Sequence, residues 1–195
     1  MVALEFDHRP LGYHPGKVMQ RMDIYGVSFD LVGKQPIVLL KTAEGNRFLP
    51  IWIGHSEAAA ILMRIQGAST PRPMTHDLLT DVLGQLDAEI TRVAVTELRD
   101  NTFFAVITVQ QNGSEIEIDS RPSDAIALAV RAEAPIFVAD EVIEESAIEF
   151  EGEEGEAPDI SQMTPEQQAK LREDFKEFLD QVTPDQFAEA PGEDA

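Results

Sequence analysis

Residues 120–131 read SRPSDAIALAVR, a nearly apolar run bracketed by Arg121, Asp124 and Arg131. At 3.6 residues per turn, Arg121, Asp124, Leu128 and Arg131 fall along one line of a helix, so two guanidinium groups and a carboxylate can face one groove. Charges on an otherwise apolar helix are expensive to keep, which gives them a claim to chemistry. RPMTHD at 72–77 repeats the ingredients: Arg72 before Pro73, a hydroxyl at Thr75, an acid at Asp77, and His76 added. Two Arg-Pro helix entries can converge, with Thr75 and Ser123 as caps. A helix start presents unpaired N–H groups, and arginine adds a planar fork matched to phosphate oxygens. Arg72, Thr75, Arg121, Ser123 and Arg131 are therefore the candidate phosphate-binding residues. Glu57, Asp77 and Asp124 are candidate catalytic carboxylates. The same three are candidate ligands for a hard divalent cation, magnesium or manganese, that would activate water at a phosphodiester. His76 is the candidate proton carrier, because its reference pKa lies close to neutrality.

Each residue also has a plainer role. Acids at helix starts satisfy the dipole, and Arg121 and Arg131 can be buried partners that hold acids in place. His55 and His76 have no second His at metal-ligand spacing, and His8 and His14 lie in an irregular stretch, so zinc is not expected. Trp52, inside FLPIWI, reads as core rather than as a platform for a nucleobase.

The elements that must position these residues follow from periodicity. From Ile24, YGVSFDLV alternates, IVLLKT is apolar and RFLPIWI follows, with short turns between them; these are strands. GHSEAAAILMRI then reads as a helix capped by Ser56, with Glu57 in its first turn. The second half repeats the order: EITRVAVTEL, TFFAVITVQ and SEIEIDS are strands, and SRPSDAIALAVRA is a helix. A shift of 67 places Ser56-Glu57-Ala58 on Ser123-Asp124-Ala125 and Arg64 on Arg131. The pattern fits an internal duplication, and it equally fits chance likeness between two small-residue helices. Between the halves, Thr75 opens a helix with an apolar stripe of Leu78, Leu79, Val82, Leu83 and Leu86. APIFVAD is a last short strand, and the folded part is expected to end near Ile143. The predicted fold is α+β: one domain over residues 21–143, made of two similar β-β-β-α units around a mixed or antiparallel sheet, plus the intervening helix.

Residues 1–20 read as an extension, 144–163 as an acidic linker and 164–195 as an acidic tail with one amphipathic helix. That helix, over 164–182, has the stripe Leu171, Phe175, Phe178, Leu179 and Val182 and wants a protein partner. The net charge of -21 is concentrated here: residues 1–140 hold 12 Lys and Arg against 18 acids, and residues 141–195 hold 3 against 18. Such a chain repels polyanions at long range, so any nucleic-acid function needs a local basic patch or a metal. With no cysteine there is no disulfide framework and no thiol chemistry. No apolar run reaches bilayer-spanning length and no signal peptide is evident at the N-terminus, so the expected location is cytoplasmic.

IVLL at 37–40, LPIWIGHSEAAAI at 49–61, RPMTHDLL at 72–79, TELRDNTFFA at 96–105 and SRPSDAIALAVR at 120–131 together resemble the bifunctional nuclease domain family. The resemblance covers residues 22 to about 143, in order and without large gaps. It implies an α+β fold and a domain associated, in plant relatives, with hydrolysis of DNA and RNA. Its motifs contain Glu57, Arg72, Thr75, His76, Asp77, Arg121, Ser123, Asp124 and Arg131, and assign no catalytic roles. Three functions follow as expectations. The first is a metal-assisted nuclease acting on DNA or RNA. The second is a non-catalytic module that binds a phosphorylated small ligand or a protein. The third is a structural polar network inside a homodimer, which unpaired strand edges would favour.

Overall fold

Alternating apolar residues and tight turns give two three-stranded meanders, each followed by a helix rich in small residues. In the computed structural model, residues 17–29, 35–68 and 70–149 are described. The first meander is β1 (Met19–Phe29), β2 (Pro36–Thr42) and β3 (Arg47–Trp52), followed by α1 (His55–Ile65). After α2 (Thr75–Gln85), the second is β4 (Ala88–Arg99), β5 (Thr102–Gln111) and β6 (Ser114–Ser120), followed by α3 (Pro122–Ala132). The chain then adds β7 (Ile136–Ala139), α4 (Asp140–Ser146) and β8 (Ile148–Glu149). The order across the single sheet is β6-β5-β4-β7-β1-β2-β3-β8. β7 lies between the meanders, parallel to β4 and antiparallel to β1, so the sheet is mixed. The α+β expectation holds, with two like units and an intervening helix.

One face of the sheet carries the main core. Val38, Leu40, Leu49, Ile51, Val93, Val95, Ala105, Ile107, Val109, Ile136 and Val138 meet the buried residues of α1 and α3 there. Residues 125–129 of α3 are all buried, because the helix packs on β4 and β5 while α1 and α2 lie against it. Alanines at 125, 127 and 129 keep that helix thin enough for close neighbours.

Several boundaries differ from the sequence reading. Pairing with β7 begins at Met19, inside the segment read as an extension. The fold also continues beyond Ile143: Val142 and Ile143 of α4 belong to the core, and β8 pairs with β3. Dense acids after residue 140 hid this short helix. The α2 stripe is the largest departure. Only Leu83 packs against the core, while Leu78, Leu79, Val82 and Leu86 are exposed. Of the segment read as an acidic linker, residues 144–149 take in the end of α4 and β8, while residues 150–163 and the expected helix over 164–182 lie outside the described residues.

Candidate functional site

Glu57, Asp77 and Asp124 share one structural position: each is the third residue of its helix. The caps are Gly54, Met74 and Arg121, and none of the three helix starts at the Ser or Thr expected to cap it. Ser56, Thr75 and Ser123 sit inside the first turns instead, each beside an acid three residues past the cap. Asp77 accepts a hydrogen bond from the Met74 backbone N–H at 2.9 Å. The Glu57 carboxylate folds back over Gly54, so closely that a Cβ at position 54 would lie 2.1 Å from Oε2. A side chain at position 54 would have to push the Glu57 carboxylate out of that place.

From these starts Glu57 and Asp77 reach arginines of α3, while Asp124 pairs with the Arg121 that caps its own helix. Arg121 donates from Nε to Asp124 Oδ2 at 2.7 Å and from Nη2 to Asp124 Oδ1 at 3.1 Å and Glu57 Oε1 at 3.0 Å. His76 Nε2 lies 3.1 Å from Asp124 Oδ1, joining α2 to α3. Burial alone would raise the pKa of Asp124, but hydrogen bonds from Arg121 and His76 outweigh it and hold the carboxyl below its ordinary value. An ionised carboxylate only accepts, so His76 Nε2 carries the proton of this contact.

Arg131 serves a different partner. It does not turn back to Asp124 on its own helix; its Nε donates to Asp77, Nη1 to Ala127 O and Nη2 to Ala60 O. Its side chain is 6% exposed. Asp77 is likewise pushed up by burial and brought below its ordinary value by Arg131 and the Met74 N–H. Arg64, at the equivalent place on α1, donates from Nε to Val130 O of α3. Arg64 and Arg131 thus cross-bond the two helices reciprocally, which is where the 67-residue repeat becomes a structural relation.

The candidate residues are therefore divided. Arg64, Arg72, Asp77 and Arg131 line a cavity of about 660 Å³ between α1, α2 and the segment joining them. Arg121 and Ser123 line another, of about 470 Å³, beyond the start of α3. The Asp124–His76 contact stands between α2 and α3, and the two Arg-Pro entries open onto different cavities. Thr75 is exposed in the first turn of α2. Trp52, read as core, is only half-buried and walls the second cavity, as do Asn101 and Phe103, which the sequence reading passed over. The signal for those two was the turn RDN between predicted strands, which sets their neighbourhood but not what faces it.

No group of three His, Cys, Asp or Glu side chains close enough to hold a metal ion occurs among the described residues. Glu57, Asp77 and Asp124 each face an arginine, so the trio does not converge as a ligand set. Nor is any described helix long and apolar enough to cross a membrane.

The profile of the bifunctional nuclease domain matches residues 38–151. The chain belongs to the bifunctional nuclease domain family. The match takes in the sheet from β2 onward, all four helices and every candidate site residue. An uncharacterized protein of Mycobacterium tuberculosis is 38% identical over 173 residues, covering 87% of this chain and 98% of that relative. Bifunctional nuclease 1 of Arabidopsis thaliana is 29% identical over 107 residues, 53% of this chain and 33% of its own length. Bifunctional nuclease 1 of Oryza sativa subsp. japonica is 26% identical over 105 residues, 52% of this chain and 32% of its own. The aligned part is therefore about a third of each of those plant proteins.

Proposed function

We propose that the chain binds nucleic acid and hydrolyses its phosphodiester bonds at the cluster of His76, Asp124 and Arg121. The observation that carries this reading is the 3.1 Å contact of His76 Nε2 with Asp124, beside an Arg121 whose side chain is 65% exposed, in a chain of this family. Asp124 orients the imidazole and fixes its Nε2 proton, which leaves Nδ1 as the acceptor available to take a proton from water. Arg121 is charged throughout the working pH range, and its exposed face can hold a phosphate oxygen as negative charge builds up. Arg72 and Arg64 at the neighbouring cavity extend the cationic track, while Arg131 holds α2 in place. Magnesium or manganese belongs to the proposal as an assay variable. The three carboxylates are engaged by arginine, so the proposed proton transfer and phosphate contact fall to His76 and Arg121. A cytoplasmic location and a homodimer join the proposal as expectations of the sequence, the second read by sedimentation.

The test is cleavage of labelled single- and double-stranded DNA and RNA with magnesium, manganese or EDTA. Asp124→Asn and His76→Ala are expected to lower the rate by about 10²–10⁴ while remaining folded at the assay temperature, the range set by loss of a general base and its orienting partner. Cleavage at the parental rate by both folded variants sinks the site. The engagement of every candidate carboxylate favours a second reading, a binding module without turnover. That reading expects thermal stabilisation by nucleotides and no cleavage under any metal condition.

A further inference from the structure

The cavity at the start of α3 has a lining that the ion-pair network does not explain. Its volume of about 470 Å³ falls in the roughly 300–1,000 Å³ range of small-molecule sites. Trp52 from the end of β3 and Phe103 from β5 give it aromatic surface, and both are half-buried. Gln35, Asn101 and Thr102 add amide and hydroxyl groups, and Arg121 stands at the rim. Asp100 and Asn101 have φ of 48° and 56°, the left-handed pair that a two-residue hairpin turn requires. That turn, with Arg99 paired to Thr102, fixes Asn101 at the cavity. Of this lining, the network uses Arg121 alone.

Aromatic surface beside amide and hydroxyl groups matches a nucleobase, which stacks through its face and exchanges hydrogen bonds at its edge. An arginine at the mouth matches the phosphate joined to it. A base inside a duplex has both faces covered by its neighbours, so a cavity of this kind admits one only after it has left the stack. We propose that this cavity is a subsite for one unpaired nucleotide, its base against Trp52 and Phe103 and its phosphate on Arg121. The inference rests on the nucleic-acid reading above and adds a substrate class to it: single strands and frayed ends rather than intact duplex.

Trp52 is the only tryptophan, so the full chain carries a single indole fluorophore and a single indole N–H resonance, both at this cavity. Titration with adenosine 5′-monophosphate and with a short single-stranded oligonucleotide is expected to quench the fluorescence and move the resonance saturably. Inorganic phosphate and ribose 5-phosphate are expected to leave both unchanged. Phe103→Ala should weaken nucleotide binding about tenfold, the scale of one lost stacking contact. Arg121→Gln should weaken the nucleotide while leaving adenosine unaffected. An indole resonance that neither nucleotide nor single strand moves at millimolar concentration overturns the subsite, as does an equal response to ribose 5-phosphate. The resonance is read on the unsubstituted chain, so the outcome does not depend on a variant that folds poorly. Binding without cleavage keeps the subsite and sinks the catalytic reading. Cleavage of single strands with the indole unmoved does the reverse.

Discussion

Arg131 and Arg121 look alike in the sequence, each beside an apolar helix run, yet burial gives them opposite work. Arg131 is enclosed and spends its donors on Asp77 and two helix carbonyls, so Arg131→Met leaves Asp77 without its partner. Breaking a buried pair costs about 3–5 kcal/mol, and Asp77, 35% exposed and able to rehydrate, places the loss near the lower end. Chemical denaturation of Arg131→Met against the parent checks this. Protonation acts on the same contacts. Asp77 and Asp124 have pKa values below the ordinary 3.8 when folded, so their stabilisation is complete above that value and is lost as pH falls through the lower folded values. Asp124→Asn lacks its share, and the stability gap between it and the parent is expected to close in acid. Unfolding curves from about pH 6 down to about pH 2 read that gap, with the change confined to the region below the ordinary carboxylate pKa. A gap that stays constant across the range would rule out this account of Asp124.

At the scale of elements, α2 is the instructive case. Its apolar stripe predicts the face that packs on the core, but hydrogen bonds and ion pairs from His76 and Asp77 to α3 turn it so that Leu83 alone reaches inward. Polar contacts at the first turn thus set the roll of the helix, and much of the stripe stays in solvent. Leu78→Ser and Val82→Ser are expected to change stability by no more than about 0.5 kcal/mol, whereas Leu83→Ala should cost more than either. Thermal melts of the three variants separate the faces. If Leu78→Ser instead costs as much as Leu83→Ala, the outer stripe is covered in solution. α1 and α3 show the converse, since their small residues predicted close packing and their last-turn arginines cross-bond.

Across the whole molecule, charge is separated along the chain. Residues 150–195 hold 14 acids against 3 basic residues, while the arginines of the candidate site belong to the folded part. A chain ended after Glu149 keeps every described strand and helix and sheds this acid. It is expected to associate faster with single-stranded nucleic acid at low salt, and the difference from the full chain should fade as salt shortens the reach of charge. Stopped-flow association across an ionic-strength series measures this. Rates that match at every salt concentration would show that the acidic segment does not act through its field.

The sequence alone determined the strands of the two meanders, the small-residue helices and the family, because each is written in local periodicity or in short motifs at fixed spacing. It also named the charged residues of the site, since charges on apolar helices stand out. Pairing was not legible. Helical spacing put Arg131 on one line with Asp124, and only the packing of α2 against α3 brought Asp77 to it. Each helix cap falls one or two residues before the Ser or Thr expected there, and at α2 it is the first-turn acid Asp77 that accepts from the cap backbone instead. Trp52 and Phe103, 51 residues apart in sequence and on strands with four others between them in the sheet, line one cavity, together with the start of α3, only through the tertiary fold. Partners chosen by tertiary packing leave no periodic trace in the chain, and here those partners decide which arginine is enclosed in the fold and which keeps an exposed face.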